Sequence, residues 1–542
     1  MPPVISSVLT SKKPLDAHEW LADTDARDEF YLELKNYLIR TIAQQIEQPA
    51  GHVKHHLELY WSKSMDLAKD DYAWMFVDEP TAEEQEYADH DDLLDVIKKT
   101  VITIEGAHFP AIEWTDPQQD YPQLFSLINT LNFIDCEFYD QKIFTAQLDS
   151  YDSLNMYFTG CIFHNDWNAI DGSVTDAHLP FFDKCEFKAK VLISGRISSS
   201  FSNSHHLCIF KNCSLQQVSI KNATIEVKLF DFSREIPAKL KSLKLENCTF
   251  DAKLALANIV GIETLELSST IFNKKFALTN CECNKLLIKN TNFKGLADFY
   301  LSRFTQFQLQ KSIFSDFAGF EKCHFGVGKA TSTEVITLNY VTFYSFINFR
   351  DAVFNQPLDL RNTNRKEQPN FLDAKFTGTA AKNTDRETFR IIKHSFDAVG
   401  NHIEANKYFT HEMQAYRRER KKEAGQGVAS HWRERFLLWT NAVVSKHGQD
   451  YWRASAWFFA VIGIIALVLA NDKYKWCIAS APIQRGLYFF GDALNGFALG
   501  FLPLGAVFEG KEHLAFFLFF TTLALSGITW HLLVAIRRHS KR

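Results

Sequence analysis

The chain is 542 residues long and carries 59 Lys and Arg against 64 Asp and Glu, a formal net charge of -5 at pH 7. That balance supplies neither the basic footprint a nucleic-acid binder needs nor an acidic tail, while the length leaves room for several domains. The averages conceal two local biases: 48 Phe residues crowded towards the middle, and long apolar runs confined to the end.

In the first hundred residues Trp20, Tyr31, Leu34, Leu38 and Ile42 recur on one helical face, and a second, polar helix is expected over Asp91–Lys99. Together residues 1–100 read as a mixed, mainly helical N-terminal cap. The acidic stretch Glu83–Asp92 reads as solvated surface. Met1–Thr10 is short and lacks a charged leader, so the N-terminal body is expected to stay in the cytoplasm. The ten Cys residues fall at repeat positions of a large chain and read as reduced, small and buried.

From residue 131 a short phrase recurs: an apolar residue, two mostly polar ones, a small one, any residue, then usually Phe. Thirteen copies end at Phe138, Phe163, Phe187, Leu215, Phe250, Phe272, Cys283, Phe293, Phe314, Phe325, Phe343, Phe354 and Phe376. Between Phe272 and Phe325 the phrase ends step by eleven and ten residues in alternation, through Cys283, Phe293, Phe304 and Phe314. Two steps make a coil of about 21, the range of a solenoid repeat. A strand-rich coil of that length winds round a narrow core, so the small residue is expected to point inward beside the Phe. Ser194–Ser204 and Gly326–Glu334 read as loops inserted at corners.

These phrases resemble the pentapeptide-repeat family, whose consensus places a small residue two positions before a central Leu or Phe. The resemblance implies a mainly β fold, a right-handed parallel β-helix over residues 101–379. The fixed Asn and longer consensus of a leucine-rich repeat are not met.

After the repeats the period becomes helical. Phe389, Ile392 and Phe396 share one face, and Ile403, Tyr408, Met413 and Tyr416 mark a second helix beyond the Gly400-Asn401 turn. A helical hairpin is therefore expected over 380–426, covering a strand edge. Over 427–450, Trp432, Phe436, Trp439 and Val443 form an apolar stripe among Arg433, Arg435 and Lys446, as in a helix lying at a membrane surface.

Residues 451–542 read as a membrane domain. Ala454–Ala470 and Leu514–Ile536 are uncharged or nearly so and long enough to span, with Trp452, Arg453, Trp457, Arg537 and Arg538 as interface anchors beside Trp432 and Trp439. Between the spans, Gly486–Phe508 is apolar but broken. Asp492, Asn495, Gly496, Gly500 and Pro503, with Glu509 just beyond, are the candidate residues of a pore or re-entrant loop. Basic runs at Arg417–Lys422 and Arg537–Arg542 place both ends in the cytoplasm, which two crossings satisfy. Ionisable groups at membrane depth, Asp492 above all and His531 less so, are candidates for function.

No Walker loop, G-x-S-x-G, H-E-x-x-H or dinucleotide fingerprint occurs. Cys281 and Cys283 match repeat slots, and the pairs His55-His56 and His205-His206 lack ligands at metal spacing, so neither metal nor cofactor is expected. Some bacterial pentapeptide-repeat proteins end in a two-span segment similar to ion-channel pores, although no T-V-G-Y-G filter is present here.

By resemblance, the expected protein is a non-enzymatic effector of the bacterial inner membrane. Its partners would be the lipid bilayer, further copies of itself, and a protein bound on the solenoid or cap. Its solenoid would sense or assemble and couple to an oligomeric pore or membrane-perturbing domain, in stress response or antiphage defence. The alternative is a non-conducting tethered scaffold. DNA mimicry, known in the family, needs an acidic rod, and residues 131–379 carry about equal numbers of acidic and basic side chains.

Overall fold

The computed structural model describes residues 24–63, 92–109, 127–139, 155–170, 173–174, 180–198, 208–232, 239–328, 335–425, 432–474 and 515–540. The chain divides into two compact units. The first comprises Met1–Gln356 with Asn362–Glu367 and Leu372–Lys375; the second comprises Pro357–Arg361, Gln368–Phe371 and Phe376–Arg542.

In the first unit, helices α1 (Thr24–Gln45) and α2 (Ala50–Lys63) pack together. Leu34, Leu38 and Ile42, four apart along α1, are buried with Val53 and Leu57 of α2. A third helix, α3, covers 92–99. The first strand, Val101–Glu105, presents backbone donors that α1 satisfies: Glu105 N–H donates to the Tyr37 hydroxyl at 3.3 Å and Thr103 N–H to the Gln45 amide oxygen at 3.4 Å.

Beyond it the chain is a parallel β-solenoid. Val101–Glu105 begins a six-stranded sheet that ends at Lys228–Asp231. A five-stranded sheet runs from Leu254–Ala257 to Ile347–Asn348. Longer strands stack on another face, where Leu265, Leu286 and Phe307 lie in register at steps of 21 residues.

The two series of phrase ends form two columns. Phe250, Phe272, Phe293, Phe314 and Phe343 make one, and Ile262, Cys283, Phe304, Phe325 and Phe354 the other. Rings in a column stack nearly parallel, with centroids 5.1 Å apart for Phe272 and Phe293 and 4.6 Å for Phe293 and Phe314. The alternation of ten and eleven residues is thus the alternation of two faces of one coil.

Each corner obeys one rule. The residue before the small one takes positive φ, as at Asn212, Asn247, Asn280 and Asn290, a conformation in which Asn and Asp cost least after Gly. Where it is Cys, Ser or Thr, the small side chain turns inward and donates to carbonyls. Cys213 Sγ meets Phe182 O at 3.3 Å, Thr291 Oγ1 meets Lys289 O at 2.9 Å and Ser302 Oγ meets Leu278 O at 2.8 Å. Burial pushes the Cys281 thiol up to about 11 and that of Cys283 to about 12, so both stay protonated.

One loop expectation is corrected. Ser194–Ile197 belongs to the strand Glu186–Ile197, which pairs with Ser214–Ile225 across a register shift between Ser194 and Gly195. Gly195 has a φ of 84° beside this shift, whose extra residue is Asn222 of the paired strand, while residues 199–204 lie outside the described residues. The expected loop at Gly326–Glu334 is described only to residue 328, and there Gly326 and Gly328 both have positive φ.

In the second unit the hairpin is present as α5 (Arg386–Ala398) and α6 (His402–Gly425), after a short α4 (Gly378–Asn383). Asp385 caps α5, accepting from Thr388 N–H at 3.0 Å and from its hydroxyl at 2.7 Å. Gly400 turns the chain at positive φ, and the Asn401 side chain accepts from Glu404 N–H. Phe389, Ile392, Phe396 and Tyr408 are buried between the helices. The same helices satisfy the segment Pro357–Arg361: Leu358 N–H donates to Thr384 Oγ1 at 3.2 Å and Leu360 N–H to Thr388 Oγ1 at 3.0 Å.

Two outcomes follow. Phe293→Ala removes a ring stacked on both sides and is expected to cost about 3–5 kcal/mol, read as a lower denaturation midpoint; an unchanged midpoint would show that the column carries no load. Thr388→Val keeps the shape but deletes the hydroxyl that links Asp385 to Leu360 N–H. A loss of about 1–3 kcal/mol is expected by chemical denaturation.

Candidate membrane-proximal junction

Helices α7 (Trp432–Ser445), α8 (Tyr451–Tyr474) and α9 (Ala515–Ser540) complete the second unit. Two of them, α8 and α9, are long and apolar enough to cross a membrane. α8 begins three residues before and ends four after the 454–470 read from the sequence, while α9 begins one residue later and ends four later than 514–536.

Burial distinguishes them from core helices of a soluble fold. Only 22% of the apolar window of α8 and 17% of that of α9 is buried. They meet along a short seam of Ile462, Ile465 and Leu525, flanked by Phe458, Val461 and Phe517. Elsewhere large side chains face outward, with Leu523 63% and Phe519 59% exposed. Such outward exposure of large apolar side chains suits helices that face an apolar medium.

The lower end of this pair is polar. Between α7 and α8 the residues Lys446, His447 and Gly448 all have positive φ, of 48°, 60° and 78°. Such a left-handed turn is costly for the two non-glycine residues. It is held by Ser445, whose carbonyl accepts from Gly448, Gln449 and Asp450 N–H groups, each at 3.0 Å. Asp450 then caps α8 by accepting from Arg453 N–H at 2.9 Å.

Arg538, from the last turns of α9, locks onto this turn. Its Nη1 donates to His447 O at 2.6 Å, and its guanidinium lies 4.4 Å from the Phe409 ring of α6. Gly448 suits this place because its φ of 78° is one that L side chains rarely adopt, and a Cβ there would also lie 2.9 Å from Arg538 Nη1 and 3.3 Å from Val534 Cγ1. One guanidinium therefore ties the hairpin, the turn and α9 together.

The His447 ring is 6% exposed, and its Nε2 is buried without a hydrogen-bond partner. Burial, and then the charges of Arg417 and Arg538, depress its pKa to about 4. Burial also lowers the pKa of His411, with help from Lys407, Arg418 and Lys446. Cations thus converge on this junction from α6, from the turn and from α9.

The residues singled out in the sequence are distributed unevenly. Asp492, Asn495, Gly496, Gly500, Pro503 and Glu509 lie outside the described residues, as do His205 and His206. Trp439, Trp452 and Trp457 are exposed, Trp452 by 71%, and Arg453 and Arg537 are exposed as well. Trp432 begins α7. Arg538 alone is turned inward. His55 and His56 are on helix α2 rather than in a loop, with His56 buried, because the apolar face of α2 includes it. His447, Gly448 and Phe409 carried no sequence signal beyond a glycine after two residues of no helical period.

Compared with known proteins, the chain matches no family model, no curated protein and no solved structure.

The junction sets a pH dependence. His447 binds its proton near pH 4 when folded and near its ordinary 6.5 when unfolded, so between these values the unfolded chain holds more protons. Its contribution is whole above about pH 6.5 and is lost as pH falls towards 4, by up to about 3 kcal/mol. Acid denaturation of the protein and of His447→Asn should diverge in that window; superimposable profiles would refute the assignment.

Proposed function

We propose that the chain is a non-enzymatic, membrane-anchored repeat protein of the pentapeptide-repeat type, seated in a bacterial inner membrane with both ends in the cytoplasm. The observation that carries it is the outward exposure of α8 and α9, on the same chain as the solenoid. Basic residues before α8 and at the end of α9 favour a cytoplasmic position for both ends. In this placement the aromatic and basic side chains of α7, Phe436, Trp439, Arg433 and Arg435, suit a helix in the headgroup layer.

The finer reading is an effector. The solenoid senses a partner or assembles, and several copies bring their spans together into a pore or membrane-perturbing unit that acts in stress response or defence. Support comes from the break in the apolar sequence at Gly486–Phe508, with Asp492 inside it. Two spans per chain cannot line a pore alone, so this reading requires an oligomer. The competing scaffold reading draws on the ordered polar face of the solenoid, where Lys244 pairs with Glu246 and Glu266, and Lys241 with Glu263.

Purified protein in lipid should be oligomeric and should release a trapped ion gradient from liposomes when its solenoid is engaged. A strict monomer would remove the pore reading. Replacing residues 486–508 with an unrelated polar-apolar loop should abolish the release; a scaffold would tolerate that exchange.

A further inference from the structure

We propose that the junction of α6, the 446–450 turn and the end of α9 binds the phosphate of an anionic phospholipid headgroup. This rests on the membrane placement of α8 and α9 proposed above.

Charge is the first argument. Among the described residues, no carboxylate lies within ion-pair distance of Arg417, Lys446, Arg453 or Arg538. The nearby acids are engaged otherwise. Asp450 caps α8, Glu434 accepts from the Tyr416 hydroxyl and pairs with Arg420, and Glu423 also pairs with Arg420. A cluster of this kind repels itself unless an anion joins it.

The second argument is independent of charge. His447 Nε2 and Gln449 Nε2 are both buried and both lack a partner, and the His447 side chain is more than nine-tenths buried. Native structures rarely leave such atoms unmatched. Arg538 Nη1 bonds the His447 carbonyl at 2.6 Å, so an anion held by that guanidinium joins the residue that carries the unmatched nitrogen. In its neutral form His447 can donate one N–H, and the Gln449 amide can donate two.

Phosphate fits this set of donors better than a lone carboxylate. Arg538 spends one N–H on His447 O, which leaves guanidinium donors for a tetrahedral anion with several acceptor oxygens. The source is fixed by position: the site lies where two apolar helices begin and end, and basic pockets between spans on the cytoplasmic side are where anionic headgroups collect.

The test uses the whole chain purified in a neutral detergent, with dioleoyl phosphatidylglycerol or dioleoyl phosphatidylcholine added. Phosphatidylglycerol should raise the thermal midpoint and stay bound in native mass spectrometry, whereas phosphatidylcholine should do neither. Arg417→Gln and Lys446→Gln alter exposed side chains without ion pairs, and each should weaken phosphatidylglycerol binding about five-fold. Equal responses to the two lipids, or unchanged binding in both variants, would overturn the site. Inorganic phosphate producing the same shift at the same concentration would assign it to a free anion and overturn the lipid. Flotation with phosphatidylcholine vesicles after reconstitution, resistant to alkaline carbonate, reads the membrane placement separately. If flotation succeeds and lipid selectivity is absent, the site alone has failed.

Discussion

A coil of about 21 residues encloses too little volume for two large side chains at one level, and the solenoid is arranged around that limit. Each inward Phe must have a small neighbour, and the Cys, Ser, Thr or Ala two positions earlier supplies it. The small residue is usually polar for a reason. A thiol or hydroxyl there adds a donor to backbone carbonyls of the interior, at 2.8–3.3 Å, as at Ser302, Thr291 and Cys213. The rings then stack at a spacing near that of neighbouring strands. One register therefore satisfies packing and hydrogen bonding together, and a slip by one residue would lose both.

A parallel stack also has ends, and here chemistry replaces repetition. In the first unit, Tyr37 and Gln45 of α1 accept the strand donors of Glu105 and Thr103. In the second, the hydroxyls of Thr384 and Thr388 accept those of Leu358 and Leu360. The second solution is tighter because Thr388 also belongs to the cap of α5, through Asp385. Arg361 adds to the same network: burial opposes ionisation of Asp359, but the bonds and charge of Arg361 hold its carboxyl below the usual range. Helix initiation and strand termination are one structure there.

The repeat was legible because it is enforced at every coil, so that even Cys283 in a Phe slot could be placed from spacing alone. The positive-φ corner was legible only where Asn or Asp occupies it. Leu301 and Tyr340 adopt the same conformation with nothing in their chemistry to announce it, since the stack imposes it on them. Gly195 misled in the opposite direction, for a glycine of positive φ sits in a strand there, beside a register shift. The hairpin and both apolar helices were readable from period and hydropathy, whereas the helix Ala50–Lys63 was not. The junction was not readable. Arg538 carries the signature of an interface anchor, and its inward course depends on Phe409, more than a hundred residues away in sequence, and on a left-handed turn with no periodicity.

That junction matters for a reason specific to apolar surroundings. In water, the seam of Ile462, Ile465 and Leu525 would draw α8 and α9 together by removing apolar surface from solvent. In hydrocarbon that drive vanishes, because lipid tails are as apolar as the seam, and only packing contacts remain. Three buried residues and their flanking rings define an angle poorly. The directional contacts lie instead at one end, where Arg538 bonds His447 O and stacks on Phe409. A rotation of α9 about its axis would withdraw Arg538 from both partners. In hydrocarbon the orientation of the two apolar helices would thus be set from their polar end, by a turn that is attached to the hairpin and has positive φ at Lys446 and His447.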